Sequence, residues 1–373
     1  MNYDLKRPLN ELFSAGNQLQ KYGNIKSEHI LGSRDRVIPK YTILIPTYGR
    51  PEQLMEAVQS AINQTIEKSK YDILVVDNEY NLDSLTNTKL KELNIENLFY
   101  YQNSFNLGAG GNWNRGFELA RSKWICMLHD DDILYPHALK AIEATLSLVD
   151  KDKTAAISPG FDYAEQVSGE WVCKGRPKLR FWRKSLQNRL VRRSLLRLQL
   201  GLRDDPVAPT CGVLFNRQAV LGMGGFPDHY KSDDMFFAFA LSDKYLCYST
   251  RQIWGQYRWG SNDSLDEQTK VELIKEALLL NEYYFEFPLQ GILPMIERWF
   301  RKKLRYLICI KPVLESIPPV RREAFKEKYL PEWRTYKPTH VEQIAFKTRH
   351  LIAWVIDMAT TILSTKVSGH VKN

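Results

Sequence analysis

Paired cysteine motifs are missing from this chain. Its five cysteines (Cys126, Cys173, Cys211, Cys247, Cys309) are odd in number and widely scattered, with no CxxC pair and no His/Cys cluster. Neither a zinc site nor a disulfide framework is indicated, and reduced thiols in a cytoplasmic compartment are the simplest account. The residues Met1 to Leu5 do not form a basic region leading into an apolar run, so no signal peptide is expected. Long apolar runs are also lacking. The best, Leu351 to Leu363, has thirteen residues and contains Asp357, Thr360 and Thr361, whereas a span needs about twenty apolar residues. The expectation is a cytoplasmic protein, at most peripheral on the cytoplasmic face of the inner membrane.

Acidic residues are absent from one stretch. Between Arg176 and Arg203 there are ten Lys or Arg and no Asp or Glu, which accounts for the net charge of +9 and leaves −1 elsewhere. Leucines interleave with these arginines, and the spacing of Leu186, Leu190, Arg189, Arg192 and Arg193 predicts a basic amphipathic helix. Such a helix suits anionic lipid, a phosphate-bearing acceptor or RNA. A plain solvated helix has the same pattern.

What is present is ordinary globular material: 373 residues, 44% hydrophobic and 25% charged. That is enough for two domains, or for one large domain with an appendage. Residues 1–40 read as a polar N-terminal arm with one short helix. Buried strands are predicted at Tyr41–Ile45, stopping at Pro46, at Tyr71–Val76 and near Leu98–Tyr101, with a fourth at Trp124–Leu128. Helical spacing follows Pro51 (Leu54, Ala57, Val58, Ala61, Ile62) and the glycine-rich Gly108-Ala109-Gly110-Gly111. Alternation of this kind implies an α/β fold, a parallel sheet covered on both faces. Ligands of such sheets bind beyond the carboxyl ends of the strands, where Thr47, Asp77, Asn106 and three consecutive aspartates are found.

The triplet Asp130-Asp131-Asp132 concentrates like charge at a strand end. Adjacent carboxylates repel and raise one another's pKa unless a cation neutralises them, and hard oxygen ligands suit Mn2+ or Mg2+ beside substrate phosphates. A solvated acidic turn is the plainer reading. Thr47 and Tyr48 can offer backbone groups and an aromatic face to a nucleobase, and Asp77 can accept the imide N–H of a uracil. Asn106, Asn112 and Asn114 would allow close approach to a ribose or sugar.

Together these segments resemble the inverting family 2 glycosyltransferases of bacterial polysaccharide type. They are Ile45-Pro46-Thr47-Tyr48-Gly49-Arg50, Val75-Val76-Asp77-Asn78, Asn106-Leu107-Gly108 with Asn114-Arg115-Gly116, and Leu128-His129-Asp130-Asp131-Asp132. The resemblance covers about residues 41 to 260. It implies a GT-A fold, a Rossmann-like, mostly parallel mixed sheet flanked by helices. The domain would span 41–262, including the basic insertion 176–203, with 263–373 as a helical C-terminal region. It further implies a nucleotide-sugar donor, a uridine diphosphate sugar by the position of Asp77. Pro46, Thr47, Tyr48, Arg50, Asp77, Asn106, Asn114, Asp130 and Asp131 would hold that donor, with a divalent metal (Mn2+ or Mg2+) on Asp130, Asp131 and Asp132. His129 stands where many members carry another aspartate.

In the second half, Ser232-Asp233-Asp234 matches the family's Glu-Asp, which places Asp234 as general base with Asp233 replacing the glutamate. Thr210, Cys211 and Asp233 become candidate acceptor contacts, and Arg258, in a closing loop, a candidate phosphate contact. The implied acceptor is a hydroxyl of a glycan or lipid-linked saccharide in surface polysaccharide synthesis. A nucleotidyltransferase acting on sugar phosphates would show a glycine-rich loop with Lys or Arg after the first strand, and Pro46-Thr47-Tyr48-Gly49-Arg50 is not one. A non-catalytic nucleic-acid-binding protein would leave the aspartates unexplained.

Overall fold

The computed structural model describes residues 17–174, 190–193, 211–259, 266–286 and 304–348. The chain divides into two compact units. One comprises Met1–Val191, Pro206–His229 and Asp233–Ser261, the other Arg192–Asp205, Tyr230–Ser232 and Asn262–Asn373.

The first unit opens with a short helix α1 (Gln18–Lys21) and strand β1 (Ser27–Leu31), then β2 (Tyr41–Thr47), α2 (Pro51–Ile62) and β3 (Tyr71–Asp77). Next come α3 (Leu85–Glu92), β4 (Leu98–Asn103), α4 (Gly108–Leu119), β5 (Trp124–Met127), β6 (Ile133–Leu134) and α5 (Ala138–Leu146). The remainder is β7 (Thr154–Val167), β8 (Glu170–Cys173), the first two residues of β9 (Leu190–Arg193), β10 (Leu214–Asn216), α6 (Arg217–Gly222), α7 (Asp233–Lys244) and β11 (Leu246–Trp259). The strand order is β1-β4-β3-β2-β5-β10-β7-β11-β6, with β8 on β7. Its centre, β4-β3-β2-β5, is parallel. β10 runs antiparallel to both β5 and β7, so β7, and β11 parallel to it, point the same way as β5.

The central strands are buried along their whole length, and their side chains alternate between two cores. Ile43, Ile45, Ile73, Val75 and Tyr100 face one side, packed on Leu54, Ala57 and Val58 of α2 and Leu139 and Ile142 of α5. Leu44, Leu74, Val76, Ile125 and Met127 face the other, against Phe117 of α4, Val220 of α6 and Leu241 of α7. Each such side chain contributes about 1.5–3 kcal/mol by leaving water. Helix α2 starts at Pro51, whose missing N–H costs nothing there. Helix α3 is capped by Ser84, whose Oγ accepts from Asn87 N–H at 3.1 Å. Helix α4 lies so close to β2 that a Cβ on Gly116 would stand 2.4 Å from Leu44 Cδ1.

Three segments differ from their sequence-based expectation. The N-terminal arm contains an edge strand, β1, antiparallel to β4. Leu190–Arg193 is extended rather than part of a basic helix, because helical propensity is a weak prior that tertiary context overrides. The other residues of 176–203 fall outside the described residues. The closing segment around Tyr257–Trp259 is the end of a long strand, not a loop.

Gly224-Gly225 forms a tight turn with φ of 86° and 85°. A Cβ on Gly225 would stand 2.5 Å from Asn114 Oδ1. Gly225→Ala should therefore destabilise the unit by about 2–4 kcal/mol, combining the left-handed penalty with overpacking. Chemical denaturation reads this as a lower midpoint with unchanged slope, and an unaltered midpoint would contradict it.

In the second unit, α8 (Glu267–Glu286), a π-helical turn Tyr306–Ile310, α9 (Lys311–Glu315) and α10 (Pro319–Tyr329) are all helical. They enclose a core of Val271, Ile274, Leu304, Leu307, Ile310, Leu314 and Phe325. Within this unit Glu276 accepts from Lys231 N–H, Ser232 N–H and Ser232 Oγ–H. No helix among the described residues is long and apolar enough to cross a membrane. None of the five cysteines forms a disulfide.

Candidate active site

β5 ends at Met127, and Leu128 N–H still bonds Leu44 O at 2.9 Å. The chain then turns, Asp132 N–H reaching back to His129 O at 3.2 Å. This turn sets His129 and Asp132 side by side above the carboxyl ends of β2 and β5. Ligand atoms of His129, Asp131 and Asp132 all lie within 4.8 Å of one another.

The three aspartates have different tasks. Asp130 faces β2: its Oδ2 accepts from Thr47 Oγ1 at 2.8 Å, and the Tyr48 N–H also donates to the carboxyl. Burial pushes its pKa up to about 6, against the pull of Thr47, Arg50 and Tyr48. Asp131 pairs with Arg50 Nη1 at 3.2 Å, and the same nitrogen stands 3.6 Å from Asp130. Asp132 is fully buried. Its Oδ1 accepts from Arg258 N–H at 2.8 Å, while its Oδ2 makes no hydrogen bond. Burial, then the neighbouring Asp131 charge, push its pKa up to about 8.

His129 Nδ1 stands 3.9 Å from that orphaned oxygen, and burial lowers the His129 pKa, which favours the neutral, ligating imidazole. A buried carboxylate oxygen without a partner is costly, and a divalent cation between His129, Asp131 and Asp132 would satisfy it. The residues present therefore fit a metal. The fitting set replaces Asp130 with His129, because Asp130 is turned toward Thr47.

A chain of ring contacts joins this cluster to α7. His129 stacks on Trp113 (5.6 Å, 25°), Trp113 meets Phe226 edge-on at 5.3 Å, and Phe226 stacks on Phe237 at 4.0 Å. Phe237 lies one turn after Asp234 on α7. Asp233 and Asp234 occupy the first turn of that helix, where negative charge is favoured, and Asp234 Oδ1 accepts from Met235 N–H at 2.7 Å.

Several expected ligands are hydrogen-bonded or buried within the protein. Asp77 is fully buried at the end of β3, its oxygens accepting from Glu79 N–H (2.9 Å) and Tyr100 Oη (2.9 Å). It braces the loop after the strand. Asn114 is buried on α4, with both ends of its amide on the Phe226 backbone at 2.9 and 2.7 Å. Asn112 donates to Thr47 O and Val76 O and accepts from Asn103, tying β2 and β3 to α4. Asn106, just ahead of α4, accepts from Gly108 N–H at 2.8 Å. Pro46 is buried within β2.

Cys211 is buried against Asp132, and Thr210 lies outside the described residues. The Arg258 side chain binds Glu56 and stacks on Trp171 at 4.9 Å, so only its backbone N–H reaches the site. Tyr48, 56% exposed, remains at the rim with Arg50.

The stacking of Trp113 on His129 and the Asn78–Asn103–Asn112 amide network were not foreseen from the sequence. Asparagines inside a helix are poor helix formers, a hint that Asn112 and Asn114 serve tertiary bonds.

The burial of Asp77 has a pH consequence. Its pKa is raised to about 6, chiefly by burial, so between about pH 4 and 6 the folded chain holds a proton that the unfolded chain has released. Stability falls as pH rises through that window. Asp77→Asn should remove about 2 kcal/mol of this decline, read as denaturation midpoints at pH 4.5 and 7. An equal decline in both proteins would contradict it.

Residues 42–220 match glycosyl transferase family 2. An uncharacterised glycosyltransferase of Methanocaldococcus jannaschii is 31% identical over 112 residues, 30% of this chain and 38% of its own. The poly(ribitol-phosphate) β-N-acetylglucosaminyltransferase TarP of Staphylococcus aureus is 24% identical over 101 residues, 27% of this chain and 31% of its own. Among solved structures, the mannosyltransferase PcManGT of Pyrobaculum calidifontis, in complex with GDP-Man and Mn2+, has a TM-score of 0.48 at 15% identity, covering 95% of this chain and 97% of that one. The chain thus spans roughly a third of the length of these two curated relatives. The similarity to glycosyl transferase family 2 lies in residues 42–220. Its mixed sheet with flanking helices is an α/β arrangement, as the alternation of strands and helices in the sequence implied.

Proposed function

We propose that this chain is a metal-dependent, inverting glycosyltransferase, with residues 41–262 as the catalytic domain and 263–373 as its helical appendage. It would move a sugar from a nucleotide-sugar donor to a hydroxyl of a glycan or lipid-linked saccharide. The observation that carries the reading is the orphaned Asp132 Oδ2, buried beside His129 and Asp131 at the strand ends. A divalent metal held there, with Mn2+ suited to a set that includes imidazole, would neutralise the donor diphosphate as it departs. Arg50 and Thr47 hold the carboxylates in place. Tyr48 and Arg50 border the donor at the β2 end. Asp234 takes the proton of the acceptor hydroxyl as that oxygen attacks the anomeric carbon and the bond to the diphosphate breaks.

The expectation of a uridine donor rested on Asp77, and its burial withdraws that support. A polyanionic glycan acceptor is supported by the activity named for the TarP relative and by the ten basic residues of 176–203. Their charge also suits an anionic membrane face.

Calorimetric titration of UDP, GDP, TDP and ADP, with and without Mn2+, tests the reading. Selective binding of one nucleotide that strengthens with Mn2+ is the expected result. Absence of any nucleotide binding would sink it.

A further inference from the structure

β7 and β11 extend past the acid cluster at the carboxyl edge of the sheet, paired with Tyr257 opposite Tyr163. Alternation puts Phe161 and Tyr163 on one face of β7, and Tyr257 and Trp259 on the same face of β11. The rings touch: Phe161–Tyr163 at 5.1 Å, Phe161–Tyr257 at 5.6 Å, Tyr163–Tyr257 at 5.8 Å and Tyr257–Trp259 at 6.0 Å. The face begins beside the acid cluster, where the N–H of Arg258, the residue between Tyr257 and Trp259, donates to Asp132 Oδ1 at 2.8 Å. It ends at Tyr163, which is 45% exposed. Glu165 continues it outward and pairs with Lys174 at 3.4 Å.

We propose that this aromatic face, Phe161, Tyr163, Tyr257 and Trp259, binds a pyranose ring of the acceptor next to the acid cluster. The proposal rests on the glycosyltransferase reading above. A pyranose presents a face of C–H bonds that packs on aromatic rings, while its rim hydroxyls need polar partners. The tyrosine hydroxyls, Glu165 and Lys174 supply them. The sheet order sets this face apart from the side on which the nucleobase is proposed to sit. Thr47 and Tyr48 border the cluster on the β2 side, whereas β7 and β11 lie beyond β10 on the far side of β5. Inverting transfer needs the acceptor hydroxyl on the side of the anomeric carbon opposite the departing diphosphate, and a group held on this face would approach from away from the nucleobase side.

The test uses the full chain with Mn2+ on immobilised oligosaccharides of α- and β-linked glucose, galactose and N-acetylglucosamine. Nucleoside diphosphate calorimetry runs in parallel. Wild type and Tyr163→Phe should retain at least one saccharide, and Tyr163→Ala should lose retention roughly five- to tenfold, with nucleotide affinity unchanged in all three. Undiminished saccharide retention by a folded Tyr163→Ala protein overturns the proposal, as does a wild type that retains none. Loss of nucleotide affinity in Tyr163→Ala, with saccharide retention intact, would put a base on this face and also overturns it. If wild type binds no nucleotide but retention still follows Tyr163, the transferase reading fails and the aromatic site stands.

Discussion

Replacing Asp234 by asparagine should lower sugar transfer by roughly 10²- to 10⁴-fold, the range for loss of a general base, and leave nucleotide affinity within about twofold. Asparagine keeps the size of the side chain and one oxygen for the Met235 N–H, so the first turn of α7 should persist. What it cannot do is take a proton. The ring contacts from Phe237 through Phe226 and Trp113 to His129 would still hold the helix against the acid cluster. Single-turnover transfer measured beside nucleotide titration separates the two effects. Full activity would remove Asp234 from the mechanism, and a parallel fall in nucleotide affinity would move it into the donor site.

The Mn2+-dependent part of nucleotide binding should disappear in Asp131→Ala, a loss of more than about 100-fold, since even outer-shell partners of a metal site are worth 10–100-fold. Stability should not fall with it. The Asp131 charge is among the causes that raise the Asp130 and Asp132 pKa values, so its removal relieves repulsion. The pairing lost with Arg50, a side chain 31% exposed, is worth little. Titration with Mn2+ and nucleotide, paired with a melting curve, checks both halves. Retained metal-dependent binding would show that His129 and Asp132 suffice. A large drop in the melting temperature would make Asp131 structural.

The parallel strands were legible because burial on both faces requires continuous apolar runs, and Tyr41–Ile45 and Tyr71–Val76 have no other reading. β1 and β9 were not legible. A half-buried edge strand such as Ser27–Leu31 carries no unbroken run, and the leucines and arginines around Leu190 fit a helical period that pairing overrides. At the site, the aspartate knot was visible as charge density. Its division of labour was not, because Thr47 and the Tyr48 N–H, more than eighty residues away, draw Asp130 out of the group that Asp131, Asp132 and His129 form.

Sequence alone determined the central sheet, and it pointed to the strand ends as the candidate site and to the residue types that could carry metal and proton transfer. These depend on local pattern: period-two burial, turn residues and clustered charge. Tertiary structure decided which of those side chains remain available. Asp77, Asn112 and Asn114 make the same hydrogen bonds to protein that they would make to a ligand, and only the packing of α4 on β2 and of Phe226 on α4 shows that protein has claimed them. It also brought Tyr163 and Tyr257, far apart in the chain, onto one face, since strand register is set by long-range pairing that no local pattern encodes.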